Sequence, residues 1–237
     1  AYKYLYWKYA EAYTARPDRF SGKRVLVIGP AETAQADLNA LESGEYDTIV
    51  KMNNGLFMTF EVGGKVTNRC DVLFHSLTDD CYPVTVDAVK ESGVDLIIHR
   101  TPKRSAFLST IVAEGLFGDV TDVRMIPYEH YEEIAEELSG FSPTSGAICL
   151  DFFLGSEAVE IAVAGFTFFT TNYTAGYVRP SEDALDQWQR VRSDALHNPK
   201  KEAVFLQNRI HQARERGQIV TLAPHVKEAL RIIQDFD

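Results

Sequence analysis

Short apolar runs alternate with longer amphipathic segments along most of the chain. Apolar runs of about four to eight residues that end in Gly, Pro or polar residues are typical of buried strands. Such runs lie at residues 24–29, 46–53, 70–76, 94–100, 123–128, 158–166 and 218–223. Helical patterns separate them at residues 31–43, 83–92, 104–115, 129–140, 147–156 and roughly 181–215, and a last helix begins at about Pro224.

The alternation of strands and helices predicts an α/β fold, in which a mostly parallel, Rossmann-like sheet is flanked by helices on both faces. No repeat, low-complexity tract or Pro/Gly-rich linker interrupts the pattern, so we expect a single domain over residues 1–237. Ligands of such sheets bind beyond the carboxyl ends of the strands. The candidate binding loops therefore follow Ile28, Met52, Phe74 and Ala164, and the third of them contains Ser76.

The composition narrows the class of protein. The 237 residues are 45% hydrophobic and carry a net charge of −10, which is ordinary for a globular protein and excludes a uniformly basic nucleic-acid surface. No apolar run approaches the roughly 20 residues that span a bilayer. The aromatic, charged N-terminus also lacks the apolar core of a signal peptide. We expect a cytoplasmic protein with no nucleic-acid partner, and a peripheral membrane contact stays open as an alternative.

Three cysteines, Cys70, Cys81 and Cys149, are too few and too widely spaced for a metal site, and an odd number cannot all pair within one chain. We predict reduced, buried thiols, which favour a reducing compartment.

The first candidate loop, VLVIGPAETA, is not a dinucleotide-binding fingerprint. That motif needs a second glycine for close approach of the pyrophosphate, whereas Gly29 is followed by Pro30, Ala31 and Glu32. A phosphate-binding P-loop is excluded too, because no GK[ST] follows.

The second candidate loop, KMNNG, places Asn53 and Asn54 just past a buried strand. An amide offers a donor and an acceptor together, which suits a pyrimidine edge or ribose hydroxyls. The alternative is a turn in which Asn and Gly adopt left-handed conformations. The loop by itself leaves both interpretations open.

Three segments in a fixed order resemble the sialylmotifs of eukaryotic-type sialyltransferases. The long motif matches residues 25–76, at Asp47, Val50, Asn53 or Asn54, Val62, Gly63, Thr67 and Arg69. The short motif matches SPTSGAICLDFFLGSEAVEIAVAGF, at Thr144, Ser145, Gly146, Gly165 and Phe166. The very short His-x4-Glu motif matches His197 and Glu202. Together the three segments cover about half of the chain.

The resemblance implies a sialyltransferase-like variant of the GT-A fold and an inverting glycosyltransferase. The donor would be a sialic-acid-like 2-keto sugar linked to cytidine monophosphate (CMP), and the acceptor a glycan, lipid-linked or not. The family uses no cofactor. It also implies that the donor is bound by Gly29, Asn53, Asn54, Ser76, Thr144, Ser145, Gly146, Gly165 and Phe166.

Two departures from the family pattern change the expected contacts. Pro30 stands where the family has Asn after the first strand, which removes one nucleotide contact. The segment TTNYTAGY lacks the His of the family's intermediate motif, but Tyr173 and Tyr177 are similar in position to tyrosines that contact the leaving phosphate in a related bacterial family. The family's disulfide-forming cysteines are missing as well, so the chain looks like a bacterial or otherwise cytosolic relative.

The residues of the last two motifs have suitable chemistry. A helix that starts at Thr144-Ser145-Gly146 offers backbone amides and two hydroxyls to a phosphate or carboxylate, without any arginine. The alternative is that Thr144 or Ser145 only caps the helix. His197 is the candidate general base, since the pKa of histidine lies near neutrality. It precedes Asn-Pro, a predicted chain break, and its competitors are His75, His99, His130, His211 and His225.

Glu202 is expected to orient a neighbouring backbone or lysine, or else to be a solvated helix carboxylate. Lys200 and Lys201 are expected to attract the donor's negative charge. No Asp-x-Asp pair ends a predicted strand, and Asp79-Asp80 lacks that spacing, so we expect no metal. A transferase of the related acidic sugar Kdo, and a nucleotide-binding scaffold without catalysis, remain the alternatives.

Overall fold

A seven-stranded parallel sheet forms the centre of the protein, in a computed structural model that describes residues 2–41, 45–78, 81–177 and 196–233. Its strands are β1 (Arg24–Ile28), β2 (Thr48–Met52), β5 (Val72–His75), β6 (Leu96–Arg100), β7 (Asp122–Ile126), β8 (Glu160–Ala164) and β9 (Ile219–Leu222). Their spatial order is β7-β6-β5-β2-β1-β8-β9, with every neighbouring pair parallel. The predicted mostly parallel α/β fold is confirmed.

Helices connect the strands and cover the sheet. They are α1 (Tyr2–Tyr13), α2 (Ala34–Ala40), α3 (Val86–Ser92), α4 (Phe107–Phe117), α5 (Tyr128–Glu137), α6 (Ser145–Leu154), α7 (Pro199–Glu215) and α8 (Pro224–Ile232). The helix predicted over 181–215 is confirmed from Pro199 onward, and its first part, 181–195, lies outside the described residues. Among the described helices, none has the length and apolar character to cross a bilayer.

The hydrophobic pattern does not predict two elements of the structure. One is α1, in which Tyr6 is the only buried residue, so no apolar stripe marks the helix. The other is the antiparallel hairpin of β3 (Phe60–Val62) and β4 (Lys65–Thr67), whose strands of three residues are too short for an alternating pattern.

Alternate residues of the central strands pack into different apolar clusters. On β5, Val72 and Phe74 belong to the largest cluster, together with residues of α5, α6 and α7, whereas Leu73 contacts α3 and α4. All three side chains are essentially inaccessible to solvent. Each buried side chain of this size contributes about 1.5–3 kcal/mol. Because both faces of the sheet are covered, the sequences of its central strands are nearly continuous apolar runs.

The order in which the chain adds strands to the sheet reverses between β1 and β8. The chain passes from β1 through β2, β5 and β6 to β7, and then returns to add β8 on the other side of β1. Here the loops after β1 and β8 touch: the Ala31 amide donates to the Gly165 carbonyl, and Gly165 has φ +70°. A Cβ on Gly29 would lie 2.2 Å from the Gly165 oxygen, and one on Gly165 would lie 2.7 Å from the Gly29 oxygen. Only glycine fits at both positions.

We expect Gly29→Ala and Gly165→Ala each to destabilise the protein by about 3 kcal/mol or more, because the added methyl group meets backbone rather than a movable side chain. Gly115→Ala is the matched control, since a Cβ there has no atom within 4 Å and the residue lies inside α4. It should be neutral or stabilise by up to about 1 kcal/mol. Urea unfolding of the three variants measures the difference, and equal stabilities would contradict the proposed close contact.

Candidate functional site

A cleft of about 410 Å³ lies at the carboxyl ends of the parallel strands. All four loops that the sequence singled out contribute to its wall, through Pro30 and Ala31 after β1, Asn53 and Asn54 after β2, Ser76 after β5, and residues 165–169 after β8. The start of α6 and the start of α7 complete it. The volume is that of a small-molecule site.

Twelve of the thirteen predicted site residues line this cleft. They are Asn53, Asn54, Ser76, Thr144, Ser145, Gly146, Gly165, Phe166, Tyr173, Tyr177, His197 and Glu202. The exception is Gly29, which lies behind the wall, where its amide donates to the Ala164 carbonyl. Its role in the structure is therefore the close contact with Gly165.

The two asparagines hold loops together. Asn53 has φ +47°, and its Oδ1 accepts a hydrogen bond from the Ser76 amide at 3.0 Å. The left-handed-turn interpretation thus applies to Asn53, whose Nδ2 has no acceptor among the described residues. Asn54 donates from Nδ2 to the Tyr177 carbonyl at 2.7 Å and accepts from the Tyr82 amide at 2.6 Å. The Asn54 amide therefore braces the wall of the cleft at both ends.

Two polar residues of the long motif, Asp47 and Arg69, lie at the amino ends of the strands, away from the cleft. Asp47 precedes β2 and accepts a hydrogen bond from the Arg24 amide at 2.8 Å. Arg69 precedes β5, pairs with Asp71 at 2.9 Å and donates to the Asp47 carbonyl at 2.9 Å. These residues fasten the amino ends of the strands and do not reach the cleft.

Helix α6 begins at the floor of the cleft and presents unsatisfied amides. Thr144 caps the helix, because its Oγ1 accepts from the Ala147 amide at 3.1 Å. The Ser145 and Gly146 amides have no acceptor among the described residues, as the first amides of a helix usually do not. Thr144 therefore caps the helix while the Ser145 and Gly146 amides remain available to an anion. The Phe166 ring packs closely against Gly146, because a Cβ added to Gly146 would lie 3.1 Å from a carbon of that ring.

Glu202 is a buried carboxylate that fixes the start of α6. It is 2% exposed, and it accepts from the Thr144 amide at 2.7 Å and from the Thr144 hydroxyl at 2.8 Å. Burial raises the pKa of Glu202 to about 7, although the bonds from Thr144 and the charge of Arg100 oppose the rise. The solvated-carboxylate interpretation is wrong, and the prediction that Glu202 orients a neighbouring backbone fits the structure.

The two lysines beside Glu202 do not line the cleft. Lys201 places its ammonium 5.2 Å from the centroid of the Phe141 ring. Lys200 is likewise absent from the wall. The first turn of α7 turns Glu202 and not the lysines toward the cleft, and the expected attraction of the lysines for the donor's negative charge stays a prediction.

His197 lines the cleft directly before α7. Its Nδ1 lies 2.6 Å from the Ser142 carbonyl oxygen, and a carbonyl can only accept, so Nδ1 carries the proton. That tautomer leaves Nε2 as the basic atom, without a partner among the described residues. Burial lowers the pKa of His197, and the nearby charge of Arg100 lowers it further. Asn198 caps α7 and Pro199 follows, so the predicted chain break is confirmed.

The other five histidines lie outside the cleft wall. His75 and His99 are buried in the sheet, and burial lowers the pKa of His99 to about 3. His130 pairs with Asp151 at 2.7 Å, and His225 pairs with Asp37 at 2.8 Å. His211 is 74% exposed beside Glu215 on α7. Among the six candidates, the geometry therefore favours His197 as the general base.

Tyr173 and Tyr177 lie on a loop that crosses the end of β1. The Thr174 amide donates to the Pro30 carbonyl at 2.7 Å, and its hydroxyl donates to the Ala31 carbonyl at 2.8 Å. The two tyrosine rings are 5.1 Å apart. Burial raises the pKa of Tyr173, and the Glu202 carboxylate raises it further, so the phenol stays protonated and remains a hydrogen-bond donor.

Backbone strain is concentrated in the loop after β8. Phe168 and Phe169 line the cleft with φ values of +51° and +62°. Residues with a side chain rarely adopt this conformation, and it costs about 1–3 kcal/mol at each position. Such strain is typical of functional sites. No sequence signal marked these two residues.

Arg100 is the functional candidate that the sequence reasoning missed. It ends β6 and lines the cleft, and its Nη1 donates to the Pro143 carbonyl at 3.3 Å, next to the start of α6. An arginine thus lies beside the helix start at which we expect an anion to bind without one, and the binding of an anion there stays a prediction. A cation as the last residue of the strand VDLIIHR was the available signal.

The cysteines are free, and the described acidic residues form no metal-binding cluster with them or with histidines. All three cysteines are free and buried, as predicted, and burial raises the pKa of Cys70 to about 12. Within the described ranges, no three His, Cys, Asp or Glu residues come close enough to hold a metal ion. Asp79-Asp80 lies outside these ranges, and the absence of a metal stays a prediction.

We expect Glu202→Gln to become more stable relative to the parent protein as the pH rises. The pKa of the buried carboxyl is raised from 4.5 to about 7, so its contribution to stability is full below pH 4.5 and is lost as the pH passes through 7. Gln is neutral throughout and can still bond to Thr144. The difference in the free energy of unfolding should therefore shift by about 3 kcal/mol in favour of the variant between pH 4.5 and 8.

Urea unfolding across this pH range measures the shift. Glu136→Gln, which changes an exposed glutamate, serves as the control and should leave the pH dependence of stability unchanged. A difference between Glu202→Gln and the parent that stays constant with pH would contradict a buried, titrating carboxylate.

Solved sialyltransferases share this architecture. CstII from Campylobacter jejuni, solved with CMP, aligns over 87% of this chain and 87% of its own, with a TM-score of 0.54 and 14% identity. Its complex with the substrate analogue CMP-3FNeuAc gives a TM-score of 0.52 at 14% identity, over 87% of this chain and 83% of that one. A mammalian sialyltransferase aligns over 85% of this chain and 68% of its own, with a TM-score of 0.50 and 10% identity.

The sequence matches no protein-family profile and no curated protein. At 10–14% identity, the similarity to the solved structures establishes the fold and not the activity. The predicted resemblance is confirmed at this level: the chain has the fold of the bacterial and mammalian sialyltransferases.

Proposed function

We propose that this protein is an inverting, metal-independent glycosyltransferase that takes a sialic-acid-like sugar from a CMP donor. One observation carries the proposal: a histidine with an oriented, basic Nε2 lies beside unsatisfied helix amides in the cleft of a sialyltransferase fold. The solved CstII structures of this fold contain CMP and a CMP-sugar analogue. The acceptor is a glycan, and a lipid-linked glycan at a membrane surface is compatible with the same chemistry.

The donor lies across the carboxyl ends of the strands in this proposal. The Asn53 amide, which still has two donor hydrogens, contacts the nucleoside. Tyr173 and Tyr177 donate to oxygens of the phosphate, which takes the electron pair when its bond to the sugar breaks. A monophosphate leaving group that is stabilised by hydrogen bonds in this way does not require a metal ion.

The acceptor attacks the anomeric carbon from the face opposite the phosphate, so the configuration inverts. His197 takes the acceptor hydroxyl proton on Nε2 as the new C–O bond forms, while its Nδ1–H stays bonded to the Ser142 carbonyl. Glu202 does not touch the reacting atoms in this scheme. It positions the α6 amides through Thr144.

Calorimetry with CMP, UMP and NAD tests the proposal at the level of binding. A CMP-sugar transferase binds CMP in preference to the other two, and it turns over CMP-sialic acid or CMP-Kdo in the presence of EDTA. A scaffold that has kept the sheet and lost catalysis hydrolyses neither donor. Complete loss of activity in EDTA, with recovery on addition of Mg²⁺ or Mn²⁺, would contradict the metal-independent mechanism.

We expect His197→Ala to lower kcat by about 10²–10⁴-fold, the usual contribution of a general base. CMP affinity should stay within about threefold, because the base does not contact the nucleotide. Since burial lowers the pKa of His197, the rate of the parent enzyme should fall only as the pH drops below the ordinary histidine pKa of 6.5.

His211→Ala is the control, because His211 is exposed on the same helix. It should retain the parent kcat. Melting temperatures of both variants separate lost catalysis from lost folding. A folded His197→Ala enzyme with near-normal kcat would remove His197 from the mechanism.

A further inference from the structure

Arg100 lines the cleft, but the proposed reaction scheme gives it no role. Its Nη1 makes one long hydrogen bond, 3.3 Å, to the Pro143 carbonyl, and its guanidinium lies 5.9 Å from the centroid of the Tyr131 ring. Its Nε is buried and has no hydrogen-bond partner. A buried donor without a partner costs about 1–3 kcal/mol, so this arrangement calls for an explanation.

Several other arginines of the described residues are paired with carboxylates, although Arg214 and Arg216 bond to backbone carbonyls. Arg24 contacts Glu160 at 2.6 Å, Arg69 contacts Asp71 at 2.9 Å, and Arg209 contacts Asp151 at 2.7 Å. In the part of the chain that the structure describes, Arg100 forms no such ion pair. The Glu202 carboxylate is near enough for the charge of Arg100 to act on its pKa but makes no ion pair with Arg100, so the guanidinium is still available to an anion that enters the cleft.

The surroundings of Arg100 mark out where that anion would lie. Pro143, to which Arg100 donates, stands two residues before Ser145, whose amide and that of Gly146 are unsatisfied. The guanidinium also lies close enough to His197 for its charge to lower the pKa of that residue. Arg100, the α6 amides and His197 thus border one corner of the cleft.

The position in the sheet separates this corner from the tyrosines. Arg100 ends β6, whereas the loop that carries Tyr173 and Tyr177 crosses the end of β1 and reaches Asn54 after β2, so β5 lies between the two positions. A phosphate held by the tyrosines leaves the Arg100 guanidinium for a second anionic group of the same donor. The planar guanidinium fork matches a carboxylate, which it binds through two parallel hydrogen bonds.

We propose that Arg100 binds the carboxylate of the donor sugar and thereby selects an acidic 2-keto sugar over a neutral one. This inference rests on the proposed function, since it assumes a CMP-linked acidic donor. It adds a specificity residue that lies outside the three motifs. The two negative groups of the donor are then bound at separate places in this acidic protein, the phosphate at the tyrosines and the carboxylate at Arg100.

Three ligands distinguish the carboxylate from the phosphate: CMP, CMP-sialic acid, and the methyl ester of CMP-sialic acid, in which the carboxylate charge is absent. For Arg100→Met we expect the KM for CMP-sialic acid to rise about 10- to 100-fold, the range for losing a charge-assisted pair. The inhibition constants of CMP and of the methyl ester should stay within about threefold. Arg100→Lys keeps the charge without the fork and should fall between the parent and Arg100→Met.

Arg124→Met is the matched control, because Arg124 lies on β7 directly opposite Ile98 of β6 and outside the cleft wall. It should leave all three constants unchanged. If Arg100→Met lowers the melting temperature strongly, Arg100→Lys carries the comparison of the three ligands.

Each outcome bears on one proposal. Equal weakening of CMP and CMP-sialic acid would assign Arg100 to the phosphate and overturn the inference. Unchanged constants for all three ligands in a folded Arg100→Met enzyme would reduce Arg100 to a structural residue. A parent enzyme that binds neither CMP nor CMP-sialic acid would refute the proposed function itself, and the inference would fall with it.

Discussion

The backbones of Gly29 and Gly165 meet between β1 and β8, where the strand order reverses, and the cleft depends on how closely the two backbones approach each other. The contact lets the loops after β1 and β8 share a hydrogen bond from Ala31 to Gly165 before they diverge around the cleft. Asp37, which is fully buried, holds this point in place by accepting bonds from the Gly165 amide and from His225. A side chain at either glycine would separate β1 from β8 and move both walls of the site.

Glu202 connects two elements that the chain brings together from distant positions. It lies in the first turn of α7, yet both of its oxygens bond to Thr144, which starts α6. The cost is an acid kept away from water, whose pKa rises to about 7. In return, the α6 amides and the His197 ring, five residues before Glu202, hold fixed positions relative to each other. Functional sites commonly retain such destabilising groups because they order the residues that act on the ligand.

Much of the fold follows from local pattern. The seven strands of the parallel sheet, the loops that carry the site and the break before α7 are all visible as apolar runs, turn residues and an Asn-Pro pair. They are predictable because strand burial and helix capping act between residues close in sequence. The motif order adds His197 and Glu202 to the site. It does not show that the Glu202 side chain faces the cleft, or that Asp47 and Arg69 connect the amino ends of the strands and do not reach the cleft.

The sequence by itself determined the fold class, the free cysteines and nearly all of the cleft-lining residues that the motifs contain. Only the tertiary structure decided the roles of Asn54, Glu202 and Arg100. Asn54 bonds to Tyr177, 123 residues away, and Glu202 bonds to Thr144 across 58 residues. Arg100 has no carboxylate ion pair among the described residues, and it reaches the Pro143 carbonyl because the start of α6 lies beside the end of β6. Contacts over such separations depend on how the layers pack, and no pattern within a short window of sequence encodes them.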